Sequence, residues 1–432
     1  MKNVGVISLG CAKNQVDTER MLGLLVSRGA SIVSDPAEAD ILIVNTCGFI
    51  EPAKQEAIDT ILEMAQYKRP AGRCETLVVT GCLSERYREE LRQAMPEIDI
   101  LLGVREYQKL PALLHLGDAE KAPLACGSPR ILTTPFYSAY LRISDGCDNR
   151  CTYCAIPLIR GGLKSEPVDA LVDEAKRLAD GGVTELTVIA QDTSGYGVDT
   201  CGRPMLIPLL NELDRIDALR WIRVLYTYPD TVTPALIDCF AASRRIVPYL
   251  DMPLQHISDS VLRRMHRRGS RRHIESVLDY LRVNAPGFIL RTTMMVGFPG
   301  ETDADFRELL QFLRDYPFDR LGAFTFSPEE GTDAADLPDQ VPEEVRQTRY
   351  DALMELQQGI AEERSRRRLG TVTDVLLEGE ENGYAFGRSF AEAPDVDGRI
   401  LIPATGGVVP IGEYVKVRLT GVDEYDMIGE CL

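Results

Sequence analysis

Apolar and polar positions alternate along the chain in a repeated rhythm of short apolar runs and longer stretches with helical spacing. Val4-Gly5-Val6-Ile7-Ser8-Leu9 is a β-branched run, and helical periodicity follows over 16–26. Ile41-Leu42-Ile43-Val44 predicts a second strand with a helix over 52–67. Leu77-Val78-Val79 predicts a third with a helix over 84–94, and Asp99-Ile100-Leu101-Leu102 a fourth. Strands that alternate with helices predict an open parallel sheet wrapped by helices.

Breakers interrupt the rhythm at Ala122-Pro123, Gly127-Ser128-Pro129 and Thr133-Thr134-Pro135. It then resumes, with strands expected over 140–143, 185–189, 222–225, 247–250, 290–296 and 320–324. Helices are expected over 167–180, 208–214, 234–243, 259–267, 272–284 and 302–316. Six strands with intervening helices predict a (β/α) barrel or partial barrel, whose functional residues sit at the strand carboxyl ends. A highly charged stretch over 341–369 reads as a connecting helix ending at Gly370. Beyond it the period changes to alternation between Gly and Pro turns, which predicts a small antiparallel β-barrel of about five strands. The expected division is 1–118, a linker over 119–134, a core over 135–369 and a β-domain over 370–432.

Composition narrows the classes. The chain has 432 residues, 44% apolar and 26% charged, enough for two or three domains around a large core. No basic segment followed by an apolar one opens the sequence, and no apolar run approaches a membrane span, so a cytoplasmic protein is expected. The 11 cysteines are odd in number and irregularly spaced, which suits metal-binding thiols in a reducing compartment better than a disulfide framework. The net charge of −18 argues against an electrostatic grip on nucleic acid. The β-domain alone carries 12 acidic and 4 basic residues, which points to a basic protein partner.

Chemistry concentrates in Asp145-Gly146-Cys147-Asp148-Asn149-Arg150-Cys151-Thr152-Tyr153-Cys154, where three cysteines are spaced C-x-x-x-C-x-x-C. A structural zinc site closes with four protein ligands. Here the next cysteine is Cys201 and no histidine lies between. Three thiolates on a four-iron cluster leave one iron open to a small molecule. The spacing, with Tyr153 before the third cysteine, resembles the radical S-adenosylmethionine superfamily.

A second set is dispersed. Cys11, Cys47 and Cys82 each follow a predicted strand and each has a neighbouring glycine. In a parallel sheet such loops share one edge, where ligands bind. Cys74 and Cys126 lack that placement and read as structural. Polar strand ends recur at Gln191-Asp192-Thr193, Gln255-His256 and Gly297-Phe298-Pro299-Gly300-Glu301, the last a candidate anion-holding turn. An arginine-rich stretch over 263–272 reads either as a solvated face or as a nucleic-acid patch. His256, His266 and His273 show no ligand spacing.

Ser8-Leu9-Gly10-Cys11 with Lys13-Asn14, Asn45-Thr46-Cys47-Gly48, Pro253-Leu254-Gln255-His256, Ser327-Pro328-Glu329-Glu330-Gly331-Thr332 and Ala393-Pro394-Asp395-Val396-Asp397-Gly398 extend the resemblance over nearly the whole chain. It resembles the radical S-adenosylmethionine methylthiotransferases, within them the branch that modifies a ribosomal protein. The resemblance implies a 4Fe–4S cluster on Cys147, Cys151 and Cys154 that binds and cleaves S-adenosylmethionine. It implies a second, auxiliary 4Fe–4S cluster on Cys11, Cys47 and Cys82. Tyr153 is expected near the adenine, with Gln191, Gln255 and Arg291 as further cofactor-binding candidates. The implied reaction places a methylthio group on the β-carbon of an aspartate in the basic decoding-centre protein, number twelve of the small ribosomal subunit. A flavodoxin- or ferredoxin-type electron donor is implied, with a TRAM-like β-domain. The rivals are methylthiolation of a transfer-RNA adenosine and a non-catalytic iron–sulfur carrier. Glu166 departs from the branch pattern, where arginine is expected.

Overall fold

The computed structural model describes residues 2–116, 130–403 and 409–432. β1 (Asn3–Ser8), α1 (Ala12–Ser27), β2 (Ser31–Ile32), β3 (Ile41–Thr46), α2 (Glu51–Ala65) and β4 (Thr76–Gly81) open the chain. α3 (Cys82–Arg86), α4 (Arg88–Ala94), β5 (Ile100–Leu101) and α5 (Leu110–Leu113) follow. The five strands form a parallel sheet in the order β2-β1-β3-β4-β5. β3 is buried at every position. A strand covered on both faces reads as an unbroken apolar run and not as an alternation. The single helix expected over 84–94 is two, broken at Tyr87 (φ −125°, ψ 41°). β2 was not expected, because two residues carry no period.

Cys126 and most of the expected linker lie outside the described residues. Residues 130–133 are pinned: the Arg130 guanidinium lies 2.5 Å from Glu19 and 2.9 Å from Glu174, and Thr133 N–H donates to Glu19.

β6 (Ser138–Arg142) leads into a ribbon of β7 (Ser144–Asp145) and β8 (Lys164–Ser165), with α6 (Ile156–Ile159) between them. Then come α7 (Val168–Asp180), β9 (Glu185–Ile189), α8 (Val198–Cys201), α9 (Leu206–Leu213), β10 (Trp221–Val224), α10 (Pro234–Ala242) and β11 (Tyr249–Asp251). α11 (Asp259–Arg264), α12 (Arg271–Asn284), β12 (Ile289–Val296), α13 (Asp303–Asp315), β13 (Arg320–Thr325) and α14 (Glu343–Arg366) complete the core. β6, β9 and β10 form one parallel sheet and β11, β12 and β13 another. Main-chain bonds from Ile222 N–H to Arg245 O (2.7 Å) and Thr227 N–H to Asp251 O (3.0 Å) join them into one curved wall, a partial barrel. Leu171, Ala175 and Leu178 of α7 recur at helical spacing and are buried against it.

β14 (Val372–Glu381), β15 (Tyr384–Arg388), β16 (Ile400–Pro403), β17 (Tyr414–Asp423) and β18 (Asp426–Cys431) close a barrel in the order β14-β15-β16-β18-β17. The β16–β18 seam is parallel and the rest antiparallel. Five strands cannot close in strict alternation, so one seam runs parallel. Among the described residues no helix is long and apolar enough to cross a membrane.

The small barrel is bound to the core by its loop after β15. Ala391 and Ala393 pack with Tyr140, Trp221, Tyr249 and Ile289. Glu185 takes Arg388 (2.6 Å) and Arg223 (3.4 Å), and Glu392 takes Arg320 (3.2 Å). Burial opposes ionisation of Glu185 and Glu392, but the arginines outweigh it and hold each carboxyl down at about 2. Part of the acidity of 370–432 is therefore neutralised inside the chain.

Candidate functional site

β1, β3 and β4 are neighbours in the first sheet, so the loops after them emerge side by side. Cys11 caps the start of α1, Cys47 follows β3, and Cys82 opens α3. Glycines make the close approach possible. A Cβ at Gly10 (φ 94°) would stand 2.9 Å from Cys47 Cβ, and one at Gly81 (φ 103°) 2.4 Å from Thr46 O. Asn14 ties the loops together, donating to Leu9 O (3.0 Å) and Thr46 O (2.9 Å).

The contiguous trio lies on the loop after β7. Cys147 N–H donates to Gly161 O (3.1 Å) and Cys154 N–H to Cys151 O (3.0 Å). A Cβ at Gly146 (φ 73°) would meet Gly162 O at 2.2 Å. The two trios, distant in sequence, line one cavity of about 460 Å³. Tyr153, Gln191 and Gln255 line it as well.

Arg291 does not belong to this lining. Its guanidinium pairs with Asp251 (2.9 Å) and lies 3.9 Å from Asp397, because its register on β12 sets it opposite Asp251 of β11. The glycine turn over 297–300 is also not an open anion site. Glu301 folds back to accept Gly297 N–H and Phe298 N–H (3.1 Å), so the turn holds its own carboxylate. Glu166 is absent from the cavity lining, 3.9 Å from Arg20. His256 is buried, which pushes it down to about 4, and its Nδ1 accepts Ser258 N–H.

The arginine-rich stretch is largely paired within the chain: Arg268 with Asp230 (3.0 Å), Arg271 with Glu275 (2.7 Å) and Glu308 (2.8 Å). Arg267 turns inward instead. It stacks 4.2 Å from the Tyr228 ring centroid, donates to Tyr153 Oη (3.2 Å) and lines the cavity near Cys151. Among the described residues no carboxylate pairs with it.

Sequence reasoning missed Arg267 and two further residues. Arg160, 2% exposed, donates to Asp145 (3.0 Å), Asn14 Oδ1 (2.6 Å) and Asp17 (3.0 Å), and its Nη2 lies 3.8 Å from Cys82 Sγ. It links the loop of one trio to the loops of the other. Lys13 is 7% exposed, and its ammonium sits 3.1 Å from the Tyr226 ring centroid. Burial pushes it down to about 8. Lys13 and Arg160 lie near the cysteine motifs in sequence and Arg267 in the arginine-rich run, signals that spacing alone does not separate from packing.

The donor set suits iron–sulfur clusters. Each trio offers three thiols, and among the described residues no three His, Cys, Asp or Glu are grouped to hold a single metal ion. Burial pushes Cys82 and Cys154 up to about 12 and Cys147 to about 11, so their thiolates need a cationic centre. Gln191 Oε1 and Gln255 Oε1 are buried acceptors on the cavity with no hydrogen-bond partner among the described residues. A ligand with N–H donors satisfies them. Gln255 holds a left-handed φ of 69° to be there, strain of a kind that gathers at functional sites.

The uncharacterized protein family UPF0004 matches residues 3–103, the Radical SAM superfamily 141–313 and the TRAM domain 369–432. The ribosomal protein uS12 methylthiotransferase RimO of Acetivibrio thermocellus is 44% identical, covering 100% of this chain and 98% of that one. The protein of the same name from Geotalea uraniireducens is 46% identical, covering 99% and 98%. Among solved structures, the radical S-adenosylmethionine methyltransferase TsrM of Kitasatospora setae, with tryptophan substrate and a SAM analog bound, matches with a TM-score of 0.56. It is 14% identical over 75% of this chain and 73% of that chain, a likeness of fold.

Proposed function

The chain belongs to the ribosomal protein uS12 methylthiotransferase RimO family of radical S-adenosylmethionine enzymes, and from that premise we propose that it places a methylthio group on the β-carbon of an aspartate of uS12. One observation supports the reading above all: two sets of three cysteines line a single cavity. An aliphatic C–H has no acidity that a side-chain base could exploit at neutral pH. Cys147, Cys151 and Cys154 would hold a four-iron cluster, which would supply, with S-adenosylmethionine, the one-electron chemistry that such a bond needs. Cys11, Cys47 and Cys82 would hold an auxiliary 4Fe–4S cluster in the same cavity, which would supply the sulfur chemistry there. A second S-adenosylmethionine provides the methyl group.

The chain's own residues bind, orient and exclude water. Arg267 meets the carboxylate of the S-adenosylmethionine methionyl group, because it is a buried guanidinium beside Cys151 with no carboxylate partner among the described residues. Gln191 and Gln255 accept from its ammonium, and Tyr153 borders the adenine. Arg160 positions one trio against the other. The electron donor is a flavodoxin or ferredoxin type, and the basic substrate protein approaches the acidic β-barrel.

Intact masses of small-subunit ribosomal proteins, from cells with and without this gene, test the reading. A methylthio group on uS12, mapped to an aspartate and lost with the gene, is the expected result. An unchanged uS12 with loss of a methylthio nucleoside from transfer RNA overturns the substrate. Reduced, reconstituted protein that never forms 5′-deoxyadenosine overturns the enzyme reading.

A further inference from the structure

We infer that the first turn of α1, with the ammonium of Lys13, is the receptor for the carboxylate of the substrate aspartate; this rests on the reading above and names the group that selects the target residue.

Two anions enter the cavity in that reaction, the carboxylate of S-adenosylmethionine and the carboxylate next to the reacting β-carbon. Two buried cations without carboxylate partners line the cavity among the described residues, Arg267 and Lys13. They stand at opposite trios: Arg267 beside Cys151, and Lys13 two residues from Cys11. The carboxylate that accompanies sulfur transfer belongs at the second.

The local structure is built for an anion. The first main-chain bond of α1 runs from Gln15 N–H to Cys11 O (3.0 Å), and no side chain caps the helix. The preceding N–H groups have no acceptor within the helix, and the positive end of the helix dipole lies at Cys11, which lines the cavity. Lys13 reaches it from the same turn. Its described contact is the face of the Tyr226 ring, and among the described residues no carboxylate pairs with the ammonium. Tyr226 is itself fixed by its N–H donating to Asp251 (2.8 Å).

A second space adjoins this point. A second cavity of about 620 Å³ shares Gly10, Cys11 and Tyr226 with the first. Pro394, Asp395 and Val396 of the small barrel line it as well. A basic polypeptide loop passing Asp395 brings an aspartate side chain over Tyr226 to Lys13.

The test measures binding of uS12, and of uS12 with its target aspartate changed to Asn, to the reconstituted full chain without turnover. Wild type is expected to favour the aspartate form about ten- to a hundredfold, the range for a charge-assisted hydrogen bond. Lys13→Met is expected to bind the two forms alike, and Lys13→Arg to restore the preference in part. Iron content and the electron paramagnetic resonance signal of the auxiliary cluster are expected to persist in both variants. A wild type that modifies uS12 yet binds both forms equally overturns the assignment to Lys13 alone. So does Lys13→Met that keeps the preference but loses auxiliary iron, which would make Lys13 a partner of the cluster. A wild type that leaves uS12 unmodified overturns the reading beneath it.

Discussion

The two cysteine trios hold three thiols around one cavity by opposite means. Cys147, Cys151 and Cys154 share a loop whose shape is set by local main-chain bonds, such as Cys147 N–H to Gly161 O (3.1 Å). Cys11, Cys47 and Cys82 come from three strands, and their arrangement depends on the order β1-β3-β4 and on Asn14 bridging two loops. A contiguous site is a property of a segment, whereas a dispersed one is a property of a fold. The first is robust to loosening elsewhere, and the second fails with its sheet.

The largest effects separate the trios by role. Cys147→Ala is expected to abolish 5′-deoxyadenosine formation in the reduced, reconstituted protein. Cys11→Ala is expected to leave that cleavage largely intact and to stop methylthio transfer. Chromatography of 5′-deoxyadenosine beside mass spectrometry of uS12 reads both. If the two variants cleave alike, the assignment of roles fails.

Arg160 couples the two regions, and its loss sharpens the comparison. Arg160→Met removes the guanidinium from Asp17 and Asp145 while both stay in place. Breaking a buried pair from one side costs about 3–5 kcal/mol. Denaturant unfolding of the apo-protein is expected to show that loss. Arg160→Lys keeps a charge but not the planar fork, so it is expected to fold better and still transfer sulfur poorly. A variant with wild-type transfer would show that the trios do not need the link.

How far each region was legible in the sequence follows from the same contrast. The contiguous trio announces itself by spacing. The dispersed trio needed three strands to be read correctly and placed in parallel, which β-branched runs at regular intervals allowed. Charged side chains were not legible. Arg267 sat in a run that resembled a solvated face, and its neighbours Arg268 and Arg271 do pair near the surface. Lys13 and Arg160 are buried by the packing of α1 and its loops against the core, a contact between residues far apart in sequence. The turn after β12 was legible as a turn but not as one already filled by Glu301. Arg291, a cofactor-binding candidate by resemblance, has its side chain in the ion pair with Asp251.

Glycine substitutions give a smaller and more selective break. Gly10→Ala forces a Cβ to within 2.9 Å of Cys47 Cβ at a left-handed φ of 94°, and Gly146→Ala does the same against Gly162 O. Each carries strain of about 1–3 kcal/mol. Gly10→Ala is expected to lower iron at the auxiliary site, and Gly146→Ala at the other. Iron analysis with electron paramagnetic resonance distinguishes them. Loss of both signals from either variant would mean that the trios are assembled as one unit.

The smallest expected effect lies outside both trios and tests whether substrate capture is separate from them. Asp395 accepts from Tyr140 Oη (2.7 Å), is exposed, and lines the outer cavity. Its φ of 65° is left-handed, a conformation asparagine adopts readily. Asp395→Asn keeps an acceptor for Tyr140 and the backbone shape, and it removes one charge on the proposed path of the basic loop. Stability is expected to stay within about 0.5 kcal/mol. Affinity for uS12 is expected to fall a fewfold at low salt, with the difference vanishing at high salt as exposed charges are screened. Titration of uS12 at two ionic strengths measures it. A loss that persists at high salt would place Asp395 in direct contact with the substrate, and no loss at either would move the path of the basic loop to another face of the barrel.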